Sequence, residues 1–180
     1  TFETRLWQAG LAQIAGIDEV GRGPLAGPVA AAAVILPKEP RLDTIRDSKA
    51  LSAKQRDRFY EIIMNCALAV SVAFVDERII DEINIYQATR RAMQQALTTL
   101  TTQPDYVLID GEMHIPASCP TESIVRGDTL SASIAAAAIV AKVRRDRLML
   151  DYHQRYPEYG FDRHKGYPTM SGSSSTGGFP

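Results

Sequence analysis

Four carboxylates stand where short apolar runs stop. Asp18 and Glu19 end the run Ile14-Ala15-Gly16-Ile17, Asp110 ends Tyr106-Val107-Leu108-Ile109, and Asp128 follows Ser123-Ile124-Val125. Glycine lies close to each, at Gly21, Gly23, Gly111 and Gly127. Apolar runs bounded by Gly and Pro read as buried strands, so three strands would deliver acid to one end of a sheet. Oxygen donors with no His or Cys cluster beside them suit a hard divalent cation such as Mg2+ or Mn2+ rather than zinc. Such a centre serves phosphodiester hydrolysis, in which two ions stabilise the attacking and leaving oxygens and lower the pKa of the attacking water. Without a cation, acids so placed would raise one another's pKa. Taken singly, each is a turn or cap residue, and Asp128 could cap the helix that follows it. The recurrence is what points to metal.

Neighbouring strand residues point to opposite faces. Asp18 and Glu19 can share a site only if the strand twists or ends there; otherwise Glu19 contributes through its backbone carbonyl. The loop Gly21-Arg22-Gly23 does not complete a dinucleotide fingerprint, because the next glycine is Gly27. It offers bare backbone for close approach, which suits a sugar 2′-hydroxyl, both donor and acceptor. Lys49, Lys142, Arg145 and Lys165 are the candidate phosphate contacts, while Arg144, Arg147 and Arg155 read as solvated helix surface. Lys49 is placed best, in Asp47-Ser48-Lys49 just before a helix N-terminus. Asp146 reads as the partner of a neighbouring cation and Asn84 as a residue that fixes local backbone. His164 reads as a phosphate contact or a brace for the loop after it.

The elements that must position these residues follow from periodicity. A short helix within residues 1–13 leads into strands over 14–19 and 29–36, the latter an antiparallel partner stopped by Pro37. Ser52 caps a helix over 53–67, and a strand follows over 70–75. Asp76 caps a brief helix, and a longer one runs from 85 to 100. Strands over 106–110 and 123–125 flank a proline-containing loop. One long helix is expected from Thr129 to Tyr156, its first half alanine-rich and buried, with Asp128 at its dipole-favoured start. This order predicts an α/β protein with a mixed sheet flanked by helices.

The 180 residues suffice for one domain with a substantial core. Composition is ordinary, 45% hydrophobic and 23% charged, and a net charge of −1 gives no global sign of nucleic-acid binding. Two cysteines, Cys66 and Cys119, make no disulfide framework and suit a reducing cytoplasm. No signal peptide is legible, and the apolar stretch 134–143 is too short to span a membrane. The Gly- and Ser-rich residues 170–180 predict a disordered tail after a domain covering 1–169.

The run Gly16-Ile17-Asp18-Glu19-Val20-Gly21-Arg22-Gly23-Pro24 resembles the opening motif of type 2 ribonuclease H (ribonuclease HII). Asp47-Ser48-Lys49, Ile83-Asn84-Ile85, Leu108-Ile109-Asp110-Gly111, Gly127-Asp128, 141–146 and His164-Lys165-Gly166-Tyr167 match the family in its order, from about residue 15 to 169. The resemblance implies a ribonuclease H-like fold with a mixed five-stranded sheet. It also implies two-metal hydrolysis of the phosphodiester 5′ of a ribonucleotide, in RNA–DNA hybrids or duplex DNA. Asp18, Glu19, Asp110 and Asp128 would be catalytic and metal-binding. Gly21, Arg22, Gly23 and Tyr167 would read the ribose together; taken alone, Tyr167 is a loop aromatic. A sliding-clamp-type partner and a monomeric state are the associated expectations. Family members usually continue past residue 170 into a further helix, which this tail does not resemble, so C-terminal substrate contacts are a point of departure. Two rival readings remain: a non-catalytic nucleic-acid module on the same fold, and a two-metal phosphatase or nuclease acting on DNA.

Overall fold

A computed structural model describes residues 1–23, 27–38 and 51–166. Lys49, Tyr167 and the tail from 170 lie outside the described residues, as do the Asp47-Ser48-Lys49 loop and Pro24. The chain runs α1 (Phe2–Gln8), β1 (Ile14–Val20), β2 (Val29–Ile35), α2 (Ala53–Cys66), β3 (Ala69–Val75), α3 (Glu77–Thr98), β4 (Tyr106–Asp110), β5 (Thr121–Ile124), α4 (Gly127–Leu130), α5 (Ala132–Arg155), a 3₁₀ turn (Pro157–Tyr159) and α6 (Phe161–His164).

The five strands order as β3-β2-β1-β4-β5. β2 pairs antiparallel with β1 and β3, whereas β4 pairs parallel with both β1 and β5. The sheet is therefore mixed, as expected. β2, with four consecutive alanines, is buried along its whole length. It must be, because helices cover both faces of the sheet. Ala15, Ile17, Ala31, Ala33 and Ile109 pack against Ala88, Ala92, Met93 and Ala96 of α3. Ala32 and Val34 pack on the other side with Tyr60 and Ile63 of α2 and the alanine run of α5.

Two helix boundaries carry information. Ser52 caps α2 in a full capping box with Gln55. α3 is two helices joined at Asn84, which takes φ 68° and ψ 163° and accepts the Gln87 N–H on its side-chain oxygen at 3.1 Å. Its strained backbone thus carries the cap for the second helix, which agrees with the separate brief and long helices read from the sequence.

The single helix expected from Thr129 to Tyr156 is corrected. It breaks at Ser131, which closes α4 and caps α5 by accepting the Ile134 N–H. Asp128 therefore lies in the first turn of α4 and does not cap the long helix. The break is held from α1: buried Glu3 accepts from the Ser131 hydroxyl and, at 2.9 Å, from the Ser133 N–H. β5 also begins earlier than expected, at Thr121.

Candidate active site

Strand parity decides which acids face each other. Gly16 of β1 lies against the start of α5, whereas Ala15 and Ile17 pack toward α3. Asp18, two residues after Gly16, thus projects to the α5 side and Glu19 to the other. On β4, Val107 and Ile109 pack toward α3, so Asp110 shares the side of Asp18. The parallel register pairing Ile17 with Ile109 brings the two acids side by side at the C-terminal ends of their strands. Asp128 reaches the same place from α4: its backbone N–H donates to an Asp110 carboxylate oxygen at 3.3 Å. Gly127 makes room, since a Cβ there would stand 3.2 Å from that oxygen and 2.5 Å from Ile134.

The charges crowd. Asp18 and Asp128 are buried. Burial holds the Asp18 carboxyl well above the usual carboxylate range, and the charges of Glu19, Asp110 and Asp128 push it the same way. Its bond from the Glu19 N–H, 2.7 Å, opposes them only in part. Glu19 is raised chiefly by burial, with Asp110 adding to it and Arg22 working against it. Arg22 stands 3.4 Å from the Glu19 carboxylate.

β1 does not end at Glu19. It continues to Val20 and turns at Gly21, where φ is +102°. The early strand end is thus absent, yet the Glu19 carboxylate lies close enough to Asp18 and Asp110 for their charges to act on one another, so both its carboxylate and its backbone carbonyl are available to the site. Among the described residues, no three His, Cys, Asp or Glu side chains are already arranged to hold an ion. The donor set nevertheless fits a hard divalent cation: all oxygen, all acidic, and electrostatically uncomfortable without a positive charge.

The pH dependence follows with its sign. A protonated carboxyl is a poor cation ligand, so divalent-ion binding is lost as pH falls through the raised Asp18 pKa, earlier than for an ordinary carboxylate cluster. For stability the sign is opposite: an acid raised in the folded state favours folding as pH falls toward its unfolded pKa. The ion-free protein should melt higher at mildly acidic than at neutral pH, and Mn2+ added at neutral pH should raise melting. Melting scans of wild type and Asp18→Asn check this, because the variant should lose most of the acid-induced gain.

The basic residues divide. Lys142 donates to Asp146 at 2.9 Å, the pairing expected for Asp146. Lys165 is bonded through Nζ to the Asp162 carbonyl at 2.9 Å. Arg145 is a correction: at 0% exposure it cannot meet a phosphate, and it bonds to the Pro28 and Lys165 carbonyls instead. His164 braces its loop, accepting the Gly166 N–H at 3.0 Å on Nδ1. Glu3 and Ser131 were missed as supports for the Asp128 turn. Ser131 before an alanine-rich run is a legible cap, but nothing local marks Glu3.

The family model described as Ribonuclease HII matches residues 15–175. A ribonuclease HII of Geotalea uraniireducens is 56% identical over 170 residues, covering 94% of this chain and 79% of that protein. Across three such curated relatives, the chain spans 64%, 79% and 80% of their lengths. The fold matches the crystal structure of ribonuclease H2 from Pyrococcus horikoshii with a TM-score of 0.78 at 24% identity, covering 93% of this chain and 90% of that one. It also matches a chain of the PCNA:RNase HII complex from Archaeoglobus fulgidus, with a TM-score of 0.69 at 26% identity, covering 90% and 85%. No helix among the described residues is long and apolar enough to cross a membrane. The ordered motifs, the ribonuclease H-like sheet and the acid cluster at its end find their common explanation here: the chain belongs to the ribonuclease HII family of metal-dependent endoribonucleases.

Proposed function

We propose that the protein cleaves the phosphodiester 5′ of a ribonucleotide, within an RNA–DNA hybrid or a DNA duplex, leaving 3′-hydroxyl and 5′-phosphate ends. The observation that carries the chemistry is the convergence of Asp18, Asp110 and Asp128 on one side of the sheet end, with the Glu19 charge acting on Asp18 and Asp110. Asp18, Asp110 and Asp128 would hold Mg2+ or Mn2+ through carboxylate oxygens, and Glu19 through its carbonyl or, once Arg22 releases it, its carboxylate. A pair of such ions, when bound, activates water and stabilises the leaving oxygen.

The chain's own part is placement. Gly21, Arg22 and Gly23 adjoin Glu19, so a ribose lying on their backbone would set the neighbouring phosphodiester over the acids. Tyr167 would close on the sugar, and Lys49, Lys142 and Lys165 would meet flanking phosphates. Lys142 would do so by exchanging its Asp146 partner. The PCNA complex of the Archaeoglobus neighbour supports a sliding-clamp-type partner here as well.

The test is a labelled duplex carrying one ribonucleotide beside an all-DNA copy, each with Mg2+ or Mn2+. A single cut 5′ of the ribonucleotide and an intact all-DNA strand are expected. An intact ribonucleotide-containing strand would overturn the proposal. Equal cutting of both would favour a nuclease indifferent to the sugar.

A further inference from the structure

Among the described residues, Arg145 is the largest of the fully buried side chains, with 0% exposure. Taking a guanidinium out of water is costly unless its fixed fork of donors is met. Nε donates to the Pro28 carbonyl at 2.9 Å, and Nη1 donates to the Lys165 carbonyl at 2.9 Å. Those two acceptors belong to segments far apart in the chain. Pro28 directly precedes β2, and Lys165 stands two residues before Tyr167.

Gly21 and Gly27, on either side of the turn, both lie against this side chain. A Cβ on Gly21 would stand 2.6 Å from Arg145 Nε and 2.8 Å from the Pro28 oxygen. A Cβ on Gly27 would stand 2.6 Å from the sulfur of Met149, one turn along α5, and 3.4 Å from Arg145 Nη2. The second segment is shaped just as tightly. Lys165 and Gly166 both have positive φ, 51° and 88°. His164 fixes them: its Nδ1 accepts from the Gly166 N–H at 3.0 Å and its Nε2 lies 2.6 Å from the Tyr159 carbonyl. A carbonyl only accepts, so Nε2 is the donor toward Tyr159 while Nδ1 accepts from Gly166.

We infer that Arg145 is a positioning residue that sets the Gly21–Gly23 loop and the segment leading to Tyr167 at a fixed separation, and thereby determines discrimination for ribose over deoxyribose. The inference rests on the reading of those two segments as the ribose contacts. Arg145 itself touches no substrate. One planar fork bonds both carbonyls at once, so the two segments cannot shift independently while it is in place. Lysine keeps the charge but has a compact ammonium on a flexible stem and cannot reproduce the fork.

The test measures affinity for two duplexes, one carrying a single ribonucleotide and one all DNA, in an Asp110→Asn background that binds without cutting. Arg145→Lys should reduce the ratio of the two affinities by at least about tenfold, the loss expected when a charged hydrogen bond stops holding its acceptor. In the active background the defect should fall mainly on KM, and Mn2+ affinity should stay within about twofold, because the acid cluster is not part of the bracket. All readings are taken well below the melting temperature, so that a merely structural defect would leave the ratio unchanged. A full ribose preference in Arg145→Lys overturns the inference. Absence of preference in the protein that retains Arg145 overturns the ribose reading itself, and is seen before position 145 is changed. Should Arg145→Lys not fold, Arg145→Gln, which keeps a planar donor, takes its place with the same expectation. If neither folds, Arg145 is a determinant of the fold and the inference is overturned.

Discussion

Asp110→Asn is expected to lower turnover at least about a thousandfold, equivalent to about 4 kcal/mol of transition-state stabilisation, while duplex affinity stays within about threefold. The substitution is nearly isosteric. Its side-chain oxygen can still accept the Asp128 N–H, which now lies 3.3 Å from the Asp110 carboxylate, so α4 keeps its place. What is lost is one negative charge beside Asp18. That charge is among the causes of the raised Asp18 pKa, so its removal lets Asp18 ionise more readily. The ion-free variant should therefore melt no lower than wild type. Abolished turnover, retained binding and undiminished stability form a combination that a structural role for Asp110 does not produce. Single-turnover cleavage, anisotropy and thermal melting measure the three parts. Turnover within about tenfold of wild type would remove the acid cluster from the mechanism. A module that binds nucleic acid without cutting would have no turnover to lose.

The sequence made the acids legible because the end of an apolar run beside glycine is a local signal. That Asp18 and Asp110 each end an apolar run is visible in the chain; that they lie on one side of the sheet needs the register pairing Ile17 with Ile109, which the structure supplies. Strand alternation sends Glu19 the other way, where its carboxylate meets Arg22. The Asn84 junction was readable for a similar reason, since Asp76 and Asn84 are each followed at cap spacing by the amide they hold.

The features that escaped are those decided at long range. Residues 129–156 have continuous helical periodicity, yet the helix breaks at Ser131 because Glu3, 128 positions earlier, bonds the Ser131 hydroxyl. Arg145 lies in a run with Lys142, Arg144 and Arg147, and no local signal says which cation is buried. That choice is made by the carbonyls of Pro28 and Lys165, which dock on one face of α5 only. A resemblance to a family names residues by position. It did not reveal that this arginine faces inward.

Gly16→Ala is expected to destabilise the protein by about 3 kcal/mol or more, a fall of about 6–12 °C in Tm for a chain of this size. An added Cβ would stand 2.1 Å from the Ser133 carbonyl carbon, 2.3 Å from the Ile134 nitrogen and 2.4 Å from the Ser133 oxygen. All three are backbone atoms in the first turn of α5, so no rotamer change relieves the clash. Neither partner is free to retreat. Gly16 is paired with Val34 on one side and Leu108 on the other, in the interior of the sheet. The start of α5 is held by Glu3, whose carboxylate bonds the Ser131 hydroxyl and the Ser133 N–H. Separating β1 from α5 would also open the close alanine packing beyond it and move α4, which carries Asp128, away from Asp110. The variant should therefore lose Mn2+ affinity as well as stability, although Gly16 is no ligand. Gly10→Ala is the control: its φ of +90° makes alanine unfavourable there, but no atom lies within 4 Å of the added Cβ. It should cost about 1 kcal/mol and leave Mn2+ affinity unchanged. If Gly16→Ala loses no more stability than Gly10→Ala, α5 can slide on the sheet, and the fixed contact that places Asp128 over the strand ends is not what organises the site.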